Sequence, residues 1–127
     1  MLAVDDDRDS LELLRELLAQ CGAEIVVAST AEEALSKLVE LRPHVVIADV
    51  AMPGVDGYAF MGSVRTLPAD AGGSTPALAL TALAGADDSL KALRAGFQMH
   101  IAKPVDTVTL PRVVRELALQ GPASGPS

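Results

Sequence analysis

Tryptophan is absent, and one tyrosine and two phenylalanines are all the aromatic surface the chain has. Its core must therefore be built from Leu, Val, Ile and Ala. A single cysteine, Cys21, excludes an internal disulfide and suits a reducing compartment. It lies in a run of helical apolar period and reads as a core residue. Basic residues are scarce: 10 Lys and Arg stand against 17 Asp and Glu, a formal charge of −7. That balance lacks the clustered cations a nucleic-acid grip needs. No apolar run approaches the ~20 residues that span a bilayer, and no basic-then-apolar export pattern opens the chain. Neither nucleic acid nor membrane is expected as a partner, and a cytoplasmic location is. What is plentiful is aliphatic side chain. Half of the 127 residues are apolar, enough for one core and too short a chain for a second domain.

Short apolar runs alternate with longer runs of helical period, the pattern of a parallel sheet flanked by helices. Met1 to Val4 predicts the first strand. A helix from about Arg8 follows, with Leu11, Leu14, Leu18 and Cys21 on one face and Gly22 as its stop. Ile25 to Ala28 predicts the second strand. Thr30 and Glu33 form a capping box for a helix burying Ala34, Leu35, Leu38 and Leu41, with Pro43 beyond it. Val45 to Ala48 is continuously apolar, as a strand covered on both faces is, and it ends on Asp49. Met52 to Gly57 is rich in turn residues and leads to a helix around Tyr58 to Leu67. Ala77 to Leu80 predicts strand four, ending at Thr81, and Asp87 to Ala95 a helix stopped by Gly96. Met99 to Ala102 predicts strand five. Pro111 lacks an N–H, so the last helix should start near Thr107 to Thr109. Residues 1–120 then form the domain, and 121–127, GPASGPS, a disordered tail or linker.

In open parallel sheets ligands sit beyond the carboxyl ends of the strands. Strand one ends in Asp5 and Asp6, strand three in Asp49, strand four in Thr81 and strand five in Lys103. Carboxylates gathered at one place repel one another unless a cation lies among them. Carboxylates, a carbonyl and a phosphate oxygen suit magnesium, whereas zinc would want Cys and His ligands. Lys103 is a point charge suited to a phosphoryl oxygen, and Thr81 offers a hydroxyl to another.

AVDDD at the first strand, VVIADVAMPGVDG at the third, LTA at the fourth and AKP at the fifth resemble the response-regulator receiver family in order and spacing. The resemblance spans nearly the whole chain. It implies a CheY-like (flavodoxin-like) doubly wound α/β fold, with a five-stranded parallel sheet of order 2-1-3-4-5 and five helices. It also implies an aspartate that accepts phosphate from a histidine kinase or histidine phosphotransfer protein. The phosphoacceptor then falls on Asp49 and the Mg2+ ligands on Asp5, Asp6, Asp49 and the Ala51 carbonyl. The switch hydroxyl falls on Thr81, the phosphate-binding lysine on Lys103 and the family's cis peptide on Lys103–Pro104. His100 stands where the family usually carries a switch Tyr or Phe. Ala51 and Leu83, two residues past Asp49 and Thr81, would border the path of a hydrolysing water that neither can orient, which implies a long-lived phosphoryl group.

Three other readings compete. Asp5, Asp7, Asp9 and Glu16 have the spacing of a calcium loop, but Ser10 stands where its sharp turn needs Gly. A magnesium-dependent phosphatase with an aspartyl nucleophile would need an acid at Ala51. A pseudo-receiver that only binds partners would not need every acidic position filled. The early first strand suggests a domain excised from something larger, and GFQMHIAKPVD resembles receivers at the ends of hybrid sensor histidine kinases. The chain is not expected to be a free-standing enzyme. A homodimer or an intramolecular partner through helix four, strand five and helix five is compatible with it.

Overall fold

The computed structural model describes residues 1–19, 24–50, 57–68, 72–81, 86–102 and 108–120. Cys21, Gly22, Ala51, Leu83, Lys103, Pro104 and the tail lie outside the described residues. Ten elements alternate along the chain: β1 (Leu2–Val4), α1 (Arg8–Ala19), β2 (Val26–Ala28), α2 (Ala31–Leu41), β3 (Val46–Asp49), α3 (Gly57–Arg65), β4 (Ala77–Thr81), α4 (Ala86–Ala95), β5 (Met99–Ala102) and α5 (Thr109–Gln120). All five strands are parallel and lie in the order β2-β1-β3-β4-β5. The order reverses between β1 and β3, where such sheets open a crevice at their carboxyl edge.

Alternation along the strands divides the core in two. Val4, Val46, Ala48, Ala77 and Ala79 face α2, α3 and α4. Ala3, Ile47, Leu78 and Leu80 face α1 and α5. The first face is paved with small residues, and the two phenylalanines, Phe60 and Phe97, fill the room above it. No described helix is long and apolar enough to cross a membrane.

The helix ends follow local chemistry. Thr30 accepts the Glu33 N–H at 3.1 Å, one half of the expected capping box, while the Glu33 carboxylate turns to Lys37 at 3.3 Å. α2 closes on Arg42 in the left-handed region (φ 47°), its N–H donating to the Leu38 carbonyl. Leu38 is the last core residue of that helix. Leu41, expected inside, is exposed, because it reaches the amino edge of the sheet and lines an open cavity with Met1, Pro43 and His44. α3 stops at Arg65 rather than Leu67, as Thr66 and Leu67 donate three residues back in a tighter turn. Pro111 falls in the first turn of α5, where no intrahelical partner is lost.

Candidate functional site

β1 runs straight into Asp5, whose N–H donates to the Ala28 carbonyl at 3.1 Å and whose side chain is fully buried. Asp5 Oδ1 accepts the Asp7 N–H at 3.0 Å, a local bond that turns the chain toward α1. Asp7 serves the helix: its carboxylate accepts the Asp9 N–H at 3.3 Å and the Ser10 hydroxyl at 2.9 Å, which makes it the N-cap of α1. This accounts for the calcium-loop spacing, since α1 already runs from Arg8 and Asp7 is committed to capping it. Asp6, between the two, is exposed.

β3 ends on Asp49, which is buried and paired in register with Leu80 of β4. One carboxylate oxygen from each of Asp5, Asp6 and Asp49 lies within 4.8 Å of the other two. Two buried carboxylates and one at the surface thus share a small volume, where their mutual repulsion is relieved by a bound cation. The donor set is all oxygen, with a solvent-facing side through Asp6. It fits a hard divalent ion that keeps part of its water shell, as Mg2+ does.

A third element presses on this edge. The Gly57 N–H, at the start of α3, donates to the Val50 carbonyl at 3.0 Å. A Cβ at Gly57 would lie 2.5 Å from the Asp49 carbonyl oxygen and 2.6 Å from the Val50 Cα, so only glycine lets α3 lie against the backbone that carries Asp49. By sequence alone Gly57 reads only as the end of a turn. Its signal is a glycine opening a helical run shortly after a strand-end aspartate.

Thr81 is buried at the end of β4, one step beyond the Leu80 that pairs with Asp49. His100, on edge strand β5, is half-buried, and its register partner is Ala79. Its neighbours Met99 and Ile101 pack toward α1 and α5, so alternation sets His100 on the opposite face, the face of Thr81. Tyr58, in the first turn of α3, packs against the core, and the Lys91 ammonium of α4 lies 4.9 Å from the centre of its ring. The described residues therefore bring Asp5, Asp6 and Asp49 together and set Thr81 on the same edge.

The model of the response regulator receiver domain family matches residues 1–115. The chain belongs to that family. This receiver is 46% identical over 122 residues to a 14.6 kDa protein of the sodA1 3′ region in Leptolyngbya boryana, covering 96% of this chain and 92% of that one. It is 34% identical over 127 residues to the sensor protein GacS of Pseudomonas syringae pv. syringae, covering 97% of the receiver but only 14% of GacS. Its fold superposes on the chemotaxis protein CheY4 of Vibrio cholerae with a TM-score of 0.84 at 29% identity, covering 91% and 95% of the two chains. Response regulator receivers act in two-component signalling and are phosphorylated by histidine kinases, and as a receiver domain the chain is not a free-standing enzyme. Its acidic cluster is of the kind that holds Mg2+ in this family.

Proposed function

We propose that this receiver accepts a phosphoryl group from a phosphohistidine onto Asp49, in a phosphorelay, and that the phosphorylated form changes its α4–β5–α5 surface. The observation that supports this best is the convergence of the Asp5, Asp6 and Asp49 carboxylates at the carboxyl edge of the sheet. An Asp49 oxygen attacks phosphorus in line. The new O–P bond forms as the P–N bond of phosphohistidine breaks, and the leaving imidazole nitrogen keeps the electron pair and takes a proton. Asp5, Asp6, Asp49 and the Ala51 carbonyl would hold Mg2+, which when bound supplies positive charge against the carboxylates and the phosphoryl oxygens. Lys103 adds charge against the phosphoryl oxygens, and Thr81 donates its hydroxyl to one of them. Ala51, Lys103 and Pro104 enter on the family resemblance, being outside the described residues. His100 takes the switch role by its place on the Thr81 face. The rearrangement runs from Thr81 to α4, whose two arrangements the new phosphate biases.

The donor is a histidine kinase or a histidine phosphotransfer protein, in the cytoplasm. The likeness to GacS supports a host of the hybrid sensor kinase kind, in which the receiver meets an intramolecular partner. A homodimer through the same surface is the other arrangement it allows. Incubation with Mg2+ and a small phosphodonor tests the function: a receiver gains one stable phosphoryl group per chain. Continuous release of phosphate would instead mark an aspartyl-nucleophile phosphatase, and no reaction a pseudo-receiver.

A further inference from the structure

Arg65 ends α3 at the pole of the sheet away from the acidic cluster, half-buried, with all five of its N–H groups engaged. Nε donates to the Gly96 carbonyl at 3.0 Å, and Nη2 donates to the same carbonyl at 2.7 Å and to Gln98 Oε1 at 3.1 Å. Nη1 donates to the Gly73 carbonyl at 3.0 Å and to the Thr75 carbonyl at 2.8 Å. Gln98 is itself fixed, since its Oε1 accepts the Ala77 N–H at 2.8 Å and its own N–H donates to the Ala77 carbonyl at 3.1 Å. One side chain thus ties the end of α3, the approach to β4, the end of α4 and the approach to β5. Burial draws the guanidinium below its ordinary pKa, and its five hydrogen bonds offset that penalty.

The end of α4 is built to receive it. Gly96 is left-handed (φ 116°); its N–H donates to the Leu93 carbonyl at 3.1 Å and the Phe97 N–H to the Ala92 carbonyl at 3.0 Å, with Phe97 buried beneath. A Cβ at Gly96 would lie 2.6 Å from Arg65 Cγ, so glycine also makes room for the arginine stem. The turn just ahead of this cap is held lightly by comparison. Leu90, Lys91, Leu93 and Arg94 are exposed, Ala92 alone among residues 90–94 is buried, and Lys91 makes a soft contact with the Tyr58 ring.

We propose that Arg65 makes the carboxyl end of α4 a fixed pivot, so that α4 rearranges by tilting about that end while Gly96, Phe97 and Gln98 stay in place. The pivot rests on the phosphoacceptor reading only for what drives the tilt. Amide hydrogen exchange by NMR on the full chain, without phosphodonor, tests the pivot itself. The Gly96 and Phe97 amides should exchange at least tenfold more slowly than those of Leu90 and Lys91, and equal rates would overturn the proposal. Arg65→Met should speed Gly96 and Phe97 about tenfold and abolish the gradient, with Arg65→Lys in between. A folded Arg65→Met with the gradient intact would overturn it as well, and Gln98→Leu gives a milder loosening should Arg65→Met not fold. Adding acetyl phosphate and Mg2+, with intact mass read on the same sample, separates the two ideas. Where a phosphoryl group is present, Leu90 and Lys91 should change severalfold while Gly96 and Phe97 change less than twofold; equal changes overturn the pivot. A missing phosphoryl group overturns the phosphoacceptor reading and leaves the pivot to be judged on the exchange gradient.

Discussion

Asp5, Asp6 and Asp7 are three identical neighbours with three different fates, decided by where the chain turns. Asp5 is still in line with β1 and is buried in the crevice, Asp7 is bent back to cap α1, and Asp6 is left at the surface facing the cluster. The exposed member is the one that can be removed with least damage to the core. Asp6→Ala should therefore weaken Mg2+ binding by about tenfold, roughly 1.4 kcal/mol, with little change in thermal stability. Titration calorimetry with Mg2+ checks this, and unchanged affinity would remove Asp6 from the ligand set. Gly57 acts through space rather than charge. Gly57→Ala forces a methyl against the Asp49 carbonyl and the Val50 Cα, backbone atoms that cannot swing aside as a flexible side chain does. It should cost about 1–3 kcal/mol of stability, as overpacking does, and slow phosphorylation in the molecules that remain folded. Chemical denaturation beside a phosphorylation time course measures both.

Among the elements, existence was easier to read than limits. Strands β3 and β4 announce themselves as unbroken aliphatic runs because both of their faces are covered, and the period of α1 falls on Leu11, Leu14 and Leu18, all buried. Leu17, also buried, widens that stripe beyond the spacing the sequence suggested. Leu41 has the period of a core residue but belongs to the last turn of α2, where the sheet no longer lies beneath it. Period alone cannot show where a partner ends. The acidic cluster was legible because strand ends converge on one edge in this topology, whereas Gly57 and Arg65 depend on a neighbour's distance, which no single-sequence pattern holds. An arginine at the end of a helix looks the same on paper whether it faces water or four carbonyl and amide oxygens. At the scale of β4 and the segment after it, Thr81→Ala should still accept phosphate yet transmit it weakly. The chemical-shift changes that phosphorylation produces in α4 and β5 should fall by at least half, and an undiminished response would count against the coupling.

For the molecule as a whole, the proposed switching depends on how long a phosphorylated state would last. On the family resemblance Ala51 and Leu83 would border the water path, and neither side chain type can hydrogen-bond a water into line. Ala51→Asn combined with Leu83→Gln should speed loss of the phosphoryl group about tenfold, equivalent to roughly 1.4 kcal/mol of barrier. Decay followed with a radiolabel decides it, and an unchanged or slower decay would show that these positions do not control the water. The central claim is narrower: one phosphoryl group, on Asp49, made with the help of Mg2+. Its most direct test is intact-mass and peptide-level mass spectrometry of the wild type and Asp49→Asn, each incubated with acetyl phosphate with and without Mg2+. The wild type should gain a single phosphoryl group on the peptide containing Asp49, only when Mg2+ is present, and Asp49→Asn should stay unmodified while keeping its fold. A phosphoryl group retained by Asp49→Asn, or one formed equally well without Mg2+, would contradict the account.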